Sequence, residues 1–406
     1  MSSVRVGRIC VCQAFVTSKA APRFLISKST KLISSRRFST ITVHEEKPLD
    51  DHESSTDNRK QSSQIGLSLL DTKLGQTKEG VDLLDGLDVY SVPALQDHHP
   101  LAVYGLDSTN PTSNNTTKRY PILLLHGRTW SSVPVYHLLG GNNNVSQFLN
   151  KSEENDDHDE TVHESRSFME ALLEKGLQPY ALDFRGFGGT PADDTGYVEP
   201  HRCVQDVQTV LQWMAKRHNT NTNTNTNVEM PALLGWSQGA LVAQLVAQFH
   251  PTSVSKLILY GSIYDPLVRY PREPLYQVNL PNTSQITNTF NDAIEDFTVQ
   301  GSIPPAPAAL FAQAALVSDP VKAVWKHSYQ FNNCDPARVH TPCLVVAGDQ
   351  DPYAPLHVQQ DLFCNLGRGS DRTWSILAGA DHAAHLLNDV RQRFVNVAVS
   401  FVQNGK

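Results

Sequence analysis

Short apolar runs recur along the chain from about residue 81, separated by polar or turn-forming residues. Such runs are typical of buried strands. The clearest of them is Tyr120–Leu125, which ends at His126-Gly127. The other strands that this pattern predicts are Val81–Ser91, Leu101–Asp107, Gln178–Phe184, Met230–Trp236, Lys256–Gly261, Thr341–Gly348 and Trp374–Leu377.

Segments with apolar residues three and four positions apart lie between most of these strands and predict helices. They cover Ser167–Gly176, Pro200–His218, Gln238–His250, Leu356–Leu366 and His385–Gln403. Repeated strand–helix units imply an α/β fold, with a mostly parallel sheet flanked by helices. We assign residues 81–262 and 341–404 to this core.

The segment Ile263–His340 interrupts the alternation, because it holds no convincing strand and contains the proline-rich stretch Pro304–Pro307. Helical stretches are predicted within it, such as Pro307–Leu316. Ligands bind at the carboxyl edge of the sheet in open α/β folds. We therefore interpret residues 263–340 as a helical cap inserted over that edge.

The composition excludes several classes of protein. The formal net charge of −7 argues against nucleic-acid binding. No apolar run approaches the ~18–20 residues of a membrane helix, so no transmembrane segment is predicted. The six cysteines in 406 residues form no paired CxxC spacing, so we predict neither a metal site nor a disulfide framework. No cofactor is predicted, the expected partner is a small molecule, and the oligomeric state stays open.

The first 44 residues differ in charge from the rest of the chain. They hold eight basic residues, eight serines and no Asp or Glu. This composition is typical of an organelle transit peptide, usually mitochondrial, after which residues 45–80 form a linker. A plastid address, a secretory signal and a plain basic tail are the alternatives. Removal of the eight positive charges would change the formal net charge from −7 to −15.

A Gly-x-Ser-x-Gly motif, Gly235–Gly239, lies between the apolar residues Ala232–Leu234 and a helix-like run that begins at Ala240. A tight strand-to-helix turn needs small residues on both sides of a serine that points outward. This position favours Ser237 as a nucleophile over an ordinary helix-capping serine. A serine hydroxyl needs a base, and the base needs a carboxylate to orient it.

Candidates for both partners follow later strands. Asp349 and Asp351 come directly after the strand predicted to end at Gly348, and His382 follows the next strand. The chain order is therefore Ser, Asp, His, which is the order of one hydrolase superfamily.

On these motifs, residues 80–404 resemble the α/β-hydrolase superfamily, which implies the α/β-hydrolase fold with an inserted helical cap. The family pattern strand-Gly-x-x-Asp matches Asp351 rather than Asp349. The family's histidine matches His382, with His385 as the alternative, although His385 is expected to begin the final helix. Some members take the acid from the strand before the cap, so Asp265 also stays open.

The resemblance also implies an oxyanion hole. His126-Gly127-Arg128 is similar to the family's His-Gly-x loop, so the main-chain N–H groups of Arg128 and Gln238 would donate to the developing negative charge. A bulky apolar residue is common where this chain has Arg128. Its side chain would meet either an anionic substrate group or a surface carboxylate. Asp183–Thr190 resembles another family turn, in which Arg185 would connect loops.

Serine as the nucleophile disfavours dehalogenase and epoxide-hydrolase chemistry, for which related enzymes use Asp. We therefore expect a serine hydrolase that cleaves a carboxylic ester or thioester through an acyl-enzyme. Its catalytic residues would be Ser237, Asp351 and His382. The alternatives are an amide or C–C bond hydrolase of the same fold, and a small-molecule receptor that retains the triad.

Overall fold

A computed structural model of the protein describes residues 83–84, 86–106, 119–139, 165–219, 230–270, 286–369 and 371–404. The predicted transit peptide, the linker and residues 271–285 of the predicted cap lie outside the described residues. All described residues belong to one structural unit, residues 54–406.

Eight strands form one sheet in this part of the chain. They are β1 (Asp88–Pro93), β2 (Pro100–Gly105), β3 (Tyr120–Leu125), β4 (Leu177–Leu182), β5 (Ala232–Trp236), β6 (Leu257–Tyr260), β7 (Cys343–Gly348) and β8 (Arg372–Leu377). Their spatial order is β1-β2-β4-β3-β5-β6-β7-β8. β2 is antiparallel to both of its neighbours, and every other pair is parallel. The predicted mostly parallel sheet is confirmed.

Helices cover both faces of the sheet. They are α1 (Ser132–Tyr136), α2 (Phe168–Glu174), α3 (Pro200–Asn219), α4 (Gln238–Phe249), α5 (Phe290–Ile294), α6 (Pro305–Ser318), α7 (Leu356–Asn365) and α8 (Asn388–Asn404). Successive side chains of a strand point to opposite faces. In β3, Ile122 and Leu124 accordingly join the cluster under α2 and α8, while Leu123 and Leu125 join the cluster under α3 and α4. Burial on both faces explains the continuous apolar runs of the central strands.

The final helix begins later than predicted. His385 lies in a separate 3₁₀ turn, Ala384–Leu386, and α8 starts only at Asn388. The main chain of this turn has partners elsewhere in the fold, since Ala384 N donates to the hydroxyl of Tyr260 and Leu386 O accepts from Arg166. These contacts hold the turn apart from the helix.

The first strand also begins later than predicted, at Asp88. The main chain just before it forms a turn, in which Leu87 N donates to Leu84 O. That turn includes Gly86, whose φ of +75° is incompatible with an extended strand.

Helices and short 3₁₀ turns, with no strand of the sheet, make up the described residues between β6 and β7, namely 261–270 and 286–342. α6 is the longest element there, and it packs against α1. The interpretation of this segment as a separate cap stays a prediction.

A buried carboxylate of this segment binds two loops of the core, and a second buried carboxylate joins the same two loops. Asp319, directly after α6, accepts hydrogen bonds from the main-chain N–H groups of Ser131 (2.7 Å) and Gly188 (2.9 Å). These two residues belong to the loops after β3 and β4. Full burial raises the pKa of Asp319 to about 7, because water no longer stabilises its charge.

The second carboxylate, Asp183, follows β4 and binds the neighbouring amides. It accepts from Ser132 N at 2.7 Å and from Gly189 N at 2.9 Å. Each carboxylate thus takes one N–H from each loop, and the loops are joined through both.

Asp319→Asn tests how this buried acid affects stability. Because the pKa of Asp319 is raised in the folded state, its contribution falls as pH rises from the unfolded pKa near 3.8 to about 7. The variant is less stable than wild type throughout, but the deficit in the free energy of unfolding should shrink by about 3 kcal/mol between pH 4.5 and 7.5. Urea denaturation at several pH values measures this. Asp361→Asn, at an exposed position of α7, should show no such trend.

Candidate active site

Ser237 occupies the turn between β5 and α4 in a conformation that residues with a side chain rarely adopt, with φ 57° and ψ −123°. Such backbone strain costs about 1–3 kcal/mol and persists only where the surroundings enforce it. Here the chain is crowded: a Cβ on Gly235 would overlap the backbone of Gly239, and a Cβ on Gly239 would overlap the carbonyl of His126. The turn therefore needs small residues on both sides of the serine.

His382 and Asp351 form a buried hydrogen-bonded pair. The distance from His382 Nδ1 to Asp351 Oδ2 is 2.8 Å. The other oxygen of Asp351, Oδ1, accepts from the main-chain N–H groups of Tyr353 and Ala354, both at 2.9 Å. The carboxylate is thus held on both sides, and it fixes the imidazole so that Nε2 is left for a reacting group.

Ser237 lies at the same sheet edge as this pair. Its main-chain N donates to the carbonyl of Tyr260, at the end of β6. The next residue, Gly261, packs so closely that a Cβ there would lie 3.2 Å from Asp351 Oδ2 and 3.3 Å from the ring of His382. Trp236 Nε1, beside the serine, donates to the carbonyl of His382 at 2.8 Å.

Among the described residues, no hydrogen bond joins Ser237 Oγ to His382 Nε2. Neither of these two atoms has another hydrogen-bond partner there. Catalytic hydrogen bonds are often long without substrate and tighten in the complex. Within the part of the chain that the structure describes, the arrangement leaves the Ser237 hydroxyl and His382 Nε2 without hydrogen-bond partners at one edge of the sheet.

The other acids considered from the sequence have other partners. Asp349 is exposed, and its Oδ1 accepts from Gly379 N at 2.7 Å. Asp265 accepts from Leu267 N at 2.8 Å in its own turn. Neither is hydrogen-bonded to a histidine in the described residues, whereas Asp351 is.

His385, the alternative base, is buried away from any carboxylate. Neither ring nitrogen has a hydrogen-bond partner, and the ring packs between Trp236 and Tyr260 with centroids 4.7 and 5.9 Å away. Burial lowers the pKa of His385 to about 3, so the ring is neutral. It packs in the core beneath the site.

The main-chain N–H groups of Arg128 and Gln238 lie beside the serine. Gln238 follows it directly, and Gly127 approaches so closely that a Cβ there would lie 3.3 Å from Ser237 Cβ. Neither amide donates a hydrogen bond to any described residue. Unpaired donors next to a nucleophile can stabilise an oxyanion.

The loop that carries Arg128 is fixed by His126. Its Nε2 accepts from Phe184 N at 3.1 Å, and its Nδ1 donates to Gly127 O at 2.9 Å. These two bonds indicate that the His126 ring is neutral, with its proton on Nδ1. Burial lowers the pKa of His126 to about 3. The Arg128 side chain is exposed and forms no ion pair, so the alternative of a surface carboxylate partner is not realised in the described residues.

Arg185 connects loops as the resemblance implied. Its guanidinium is paired with Asp206 at 2.8 Å, with Asp97 at 2.5 Å and with Asp193 at 3.3 Å. These contacts lie in the loop after β4 and support that loop rather than the reacting atoms.

Sequence reasoning missed two contacts between the β6–β7 segment and the site. Asp296 accepts from Trp130 Nε1 at 2.6 Å, and Ser302 Oγ donates to Asp381 at 3.0 Å. Trp130 lies 166 positions from Asp296, and no motif relates the two. These contacts depend on how the helices between β6 and β7 pack against the core. The apolar pattern of the sequence does not predict that packing.

The described residues contain no group of three side chains that could hold a metal ion. Among the same residues, no helix has both the length and the apolar character needed to cross a membrane.

Residues 158–390, more than half of the chain, match the family described as "Serine aminopeptidase, S33" (Hydrolase_4). The matched range includes Ser237, Asp351 and His382. The chain belongs to this family. It is therefore an α/β-hydrolase, as its motifs predicted, and its sheet and helices form the α/β-hydrolase fold.

Solved structures of other hydrolases are also similar in fold. A serine hydrolase involved in carbazole degradation (CarC enzyme) is 16% identical, with a TM-score of 0.48 over 78% of this chain and 99% of that one. A thioesterase domain from the curacin biosynthetic pathway is 12% identical, with a TM-score of 0.47 over 78% and 99%. An esterase from Exiguobacterium antarcticum is 18% identical, with a TM-score of 0.42 over 77% and 98%. No match was found among curated proteins.

Asp351→Asn should slow reaction of this α/β-hydrolase with a fluorophosphonate probe by about 10³- to 10⁴-fold, because an amide no longer selects the required imidazole tautomer. The labelling rate measured by gel fluorescence gives the value. Asp349→Asn and Asp265→Asn are the matched controls and should label within about threefold of wild type. Loss of labelling in Asp265→Asn with retention in Asp351→Asn would identify Asp265 as the acid.

Proposed function

We propose that the protein is a serine hydrolase that cleaves a small-molecule carboxylic ester or thioester through an acyl-enzyme on Ser237. The observation that carries the proposal is the buried hydrogen bond between Asp351 and His382 beside a serine in a strained turn. A buried carboxylate–imidazole pair next to an outward-pointing serine is the arrangement that activates a hydroxyl as a nucleophile.

In this reaction Ser237 Oγ attacks the substrate carbonyl carbon while His382 Nε2 takes the hydroxyl proton. Asp351 accepts from Nδ1–H and stabilises the imidazolium that forms. The carbonyl electrons move to the oxygen, where the N–H groups of Arg128 and Gln238 donate.

Collapse of the tetrahedral intermediate then breaks the ester or thioester bond. The leaving alkoxide or thiolate takes the proton from His382, and the acyl group stays on Ser237. A water molecule gives its proton to His382, attacks the acyl carbon and releases the carboxylic acid. The serine regains its proton, so the protein is unchanged after each cycle.

A panel of esters and thioesters of increasing acyl length tests this proposal. Wild type should turn over at least one class, and Ser237→Ala should be at least about 10³-fold slower while folding normally. Fluorophosphonate should label wild type but not the variant.

The alternatives predict different results in the same assays. Turnover of amides or of a C–C substrate with all esters and thioesters inert would overturn the reaction class. Labelling of wild type with negligible turnover of every substrate would favour a receptor that retains the triad.

We also propose that residues 1–44 direct the protein to mitochondria, on the basis of their basic, serine-rich and acid-free composition. A fluorescent protein fused behind residues 1–44 should co-localise with a mitochondrial marker. Replacing the eight basic residues with Gln should leave the fusion in the cytosol. A wild-type fusion found in the cytosol, in plastids or in the secretory pathway would contradict the proposal.

A further inference from the structure

Asp296 is a carboxylate on the β6–β7 segment that comes close to the reacting groups. Its Oδ2 accepts from the indole N–H of Trp130 at 2.6 Å. Trp130 is buried three positions after Gly127, the glycine that packs against Ser237. Asp296 is thereby attached to the loop that supplies the predicted oxyanion donor.

The same stretch of chain is also attached on the opposite side of the site. Ser302 Oγ donates to Asp381, the residue before His382, at 3.0 Å. Residues 296–302 therefore run from the loop after β3 to the loop after β8, and these two loops carry the predicted oxyanion donor and the histidine. Asp296 lies at the end of this stretch that is bonded to Trp130.

Electrostatics agree with this position. The charge of His382 acts on the carboxyl of Asp296, and the charge of Asp296 contributes to the raised pKa of Tyr353. The Tyr353 ring lies edge-on to the ring of His382, with centroids 5.1 Å apart. Tyr353 and His382 are thus ring neighbours, and both interact electrostatically with Asp296.

Aromatic packing holds Asp296 in place. The next residue, Phe297, packs edge-on against Phe311 at 5.3 Å, and Phe311 packs against Trp130 at 6.4 Å. A carboxylate whose neighbours are fixed in this way is positioned to recognise a group of defined geometry.

The other oxygen of Asp296 has no partner among the residues that the structure describes. Within this part of the chain, Trp130 supplies the single hydrogen bond to the side chain, and no Lys, Arg or His forms an ion pair with it. Burial raises the pKa of Asp296 to about 6, so it is mostly ionised at neutral pH. The side chain is only partly buried, so this oxygen is open to a further donor, and a charge-assisted hydrogen bond there would favour a ligand that supplies one.

We propose that Asp296 is a specificity-determining residue, whose free oxygen accepts a hydrogen bond from a donor group of the substrate bound at Ser237. A hydroxyl and an ammonium are the two donors of this kind on small acyl substrates. The inference rests on the proposed function, because it assigns the substrate class of that same site.

Matched substrates test the inference. Three matched sets of acyl esters and thioesters are compared. One set carries a hydroxyl at successive carbons of the substrate, the second carries an ammonium at the same carbons, and the third carries neither group. For the position that reaches Asp296, wild type should prefer the donor-bearing substrate by about 10- to 100-fold in kcat/KM. Asp296→Asn should reduce this ratio to about 1, mainly through the KM of the donor-bearing substrate.

Trp130→Phe separates recognition from positioning. It removes the indole donor but leaves the carboxylate, so the preference for the donor-bearing substrate should persist. If Asp296 only held Trp130 in place, both variants would lose activity on all substrates to the same extent and the ratio would not change. That result, or an unchanged ratio in Asp296→Asn at every position, would overturn the inference.

Binding provides a readout that does not depend on turnover. Calorimetry of Ser237→Ala with unreactive ketone analogues, with and without the hydroxyl or ammonium, should show tighter binding of one donor-bearing analogue. Adding Asp296→Asn should remove the difference. Wild type that is inert towards every substrate would defeat the proposed function, while the binding ratio would still decide the role of Asp296. The donor that shows the effect, hydroxyl or ammonium, identifies the substrate class.

Discussion

Backbone crowding around Ser237 is the constraint on which the site depends. Three adjacent parallel strands, β3, β5 and β6, end at the same edge of the sheet, and the residues after them are pressed together. Gly127, Gly239 and Gly261 each lie where a Cβ would contact another strand's loop or a catalytic group. The residues around the serine, the predicted oxyanion loop and the Asp–His pair are therefore closely packed, and a side chain at any of these three glycines would force its neighbours to shift.

Main-chain amides, rather than cations, satisfy the buried carboxylates of this region. Asp351 is held by the amides of Tyr353 and Ala354, Asp183 by those of Ser132 and Gly189, and Asp319 by those of Ser131 and Gly188. Amide donors are fixed by the fold, whereas Lys and Arg side chains move. The positions of these three carboxylates are therefore set by the main chain of the surrounding loops.

Local sequence was enough to predict the sheet and the residues at its carboxyl edge. The Gly-x-Ser-x-Gly motif and the acid and histidine that follow later strands depend on spacing within a few residues, and that spacing is fixed by strand ends. The apolar runs located all eight strands, with errors of a few residues at their boundaries. The start of α8 was missed because Tyr260 and Arg166, distant in sequence, bind the turn before it.

The contacts of the β6–β7 segment could not be predicted in the same way. In the sequence, nothing distinguishes Asp296 and Asp319 from ordinary surface acids. Their roles arise from packing against residues more than a hundred positions away, Trp130 in one case and Ser131 and Gly188 in the other. No periodic pattern encodes such pairs.

The two amides bound by Asp319 have a consequence for how this protein can diversify. The β6–β7 segment, which we interpret as a cap, holds no strand of the sheet in its described residues. Its C-terminal end, however, completes the hydrogen bonding of two core loops. In an exchange between homologous proteins, the segment could therefore be replaced freely only up to the end of α6. A chimaera that lacks an acid at position 319 would leave the main-chain N–H groups of Ser131 and Gly188 buried without acceptors.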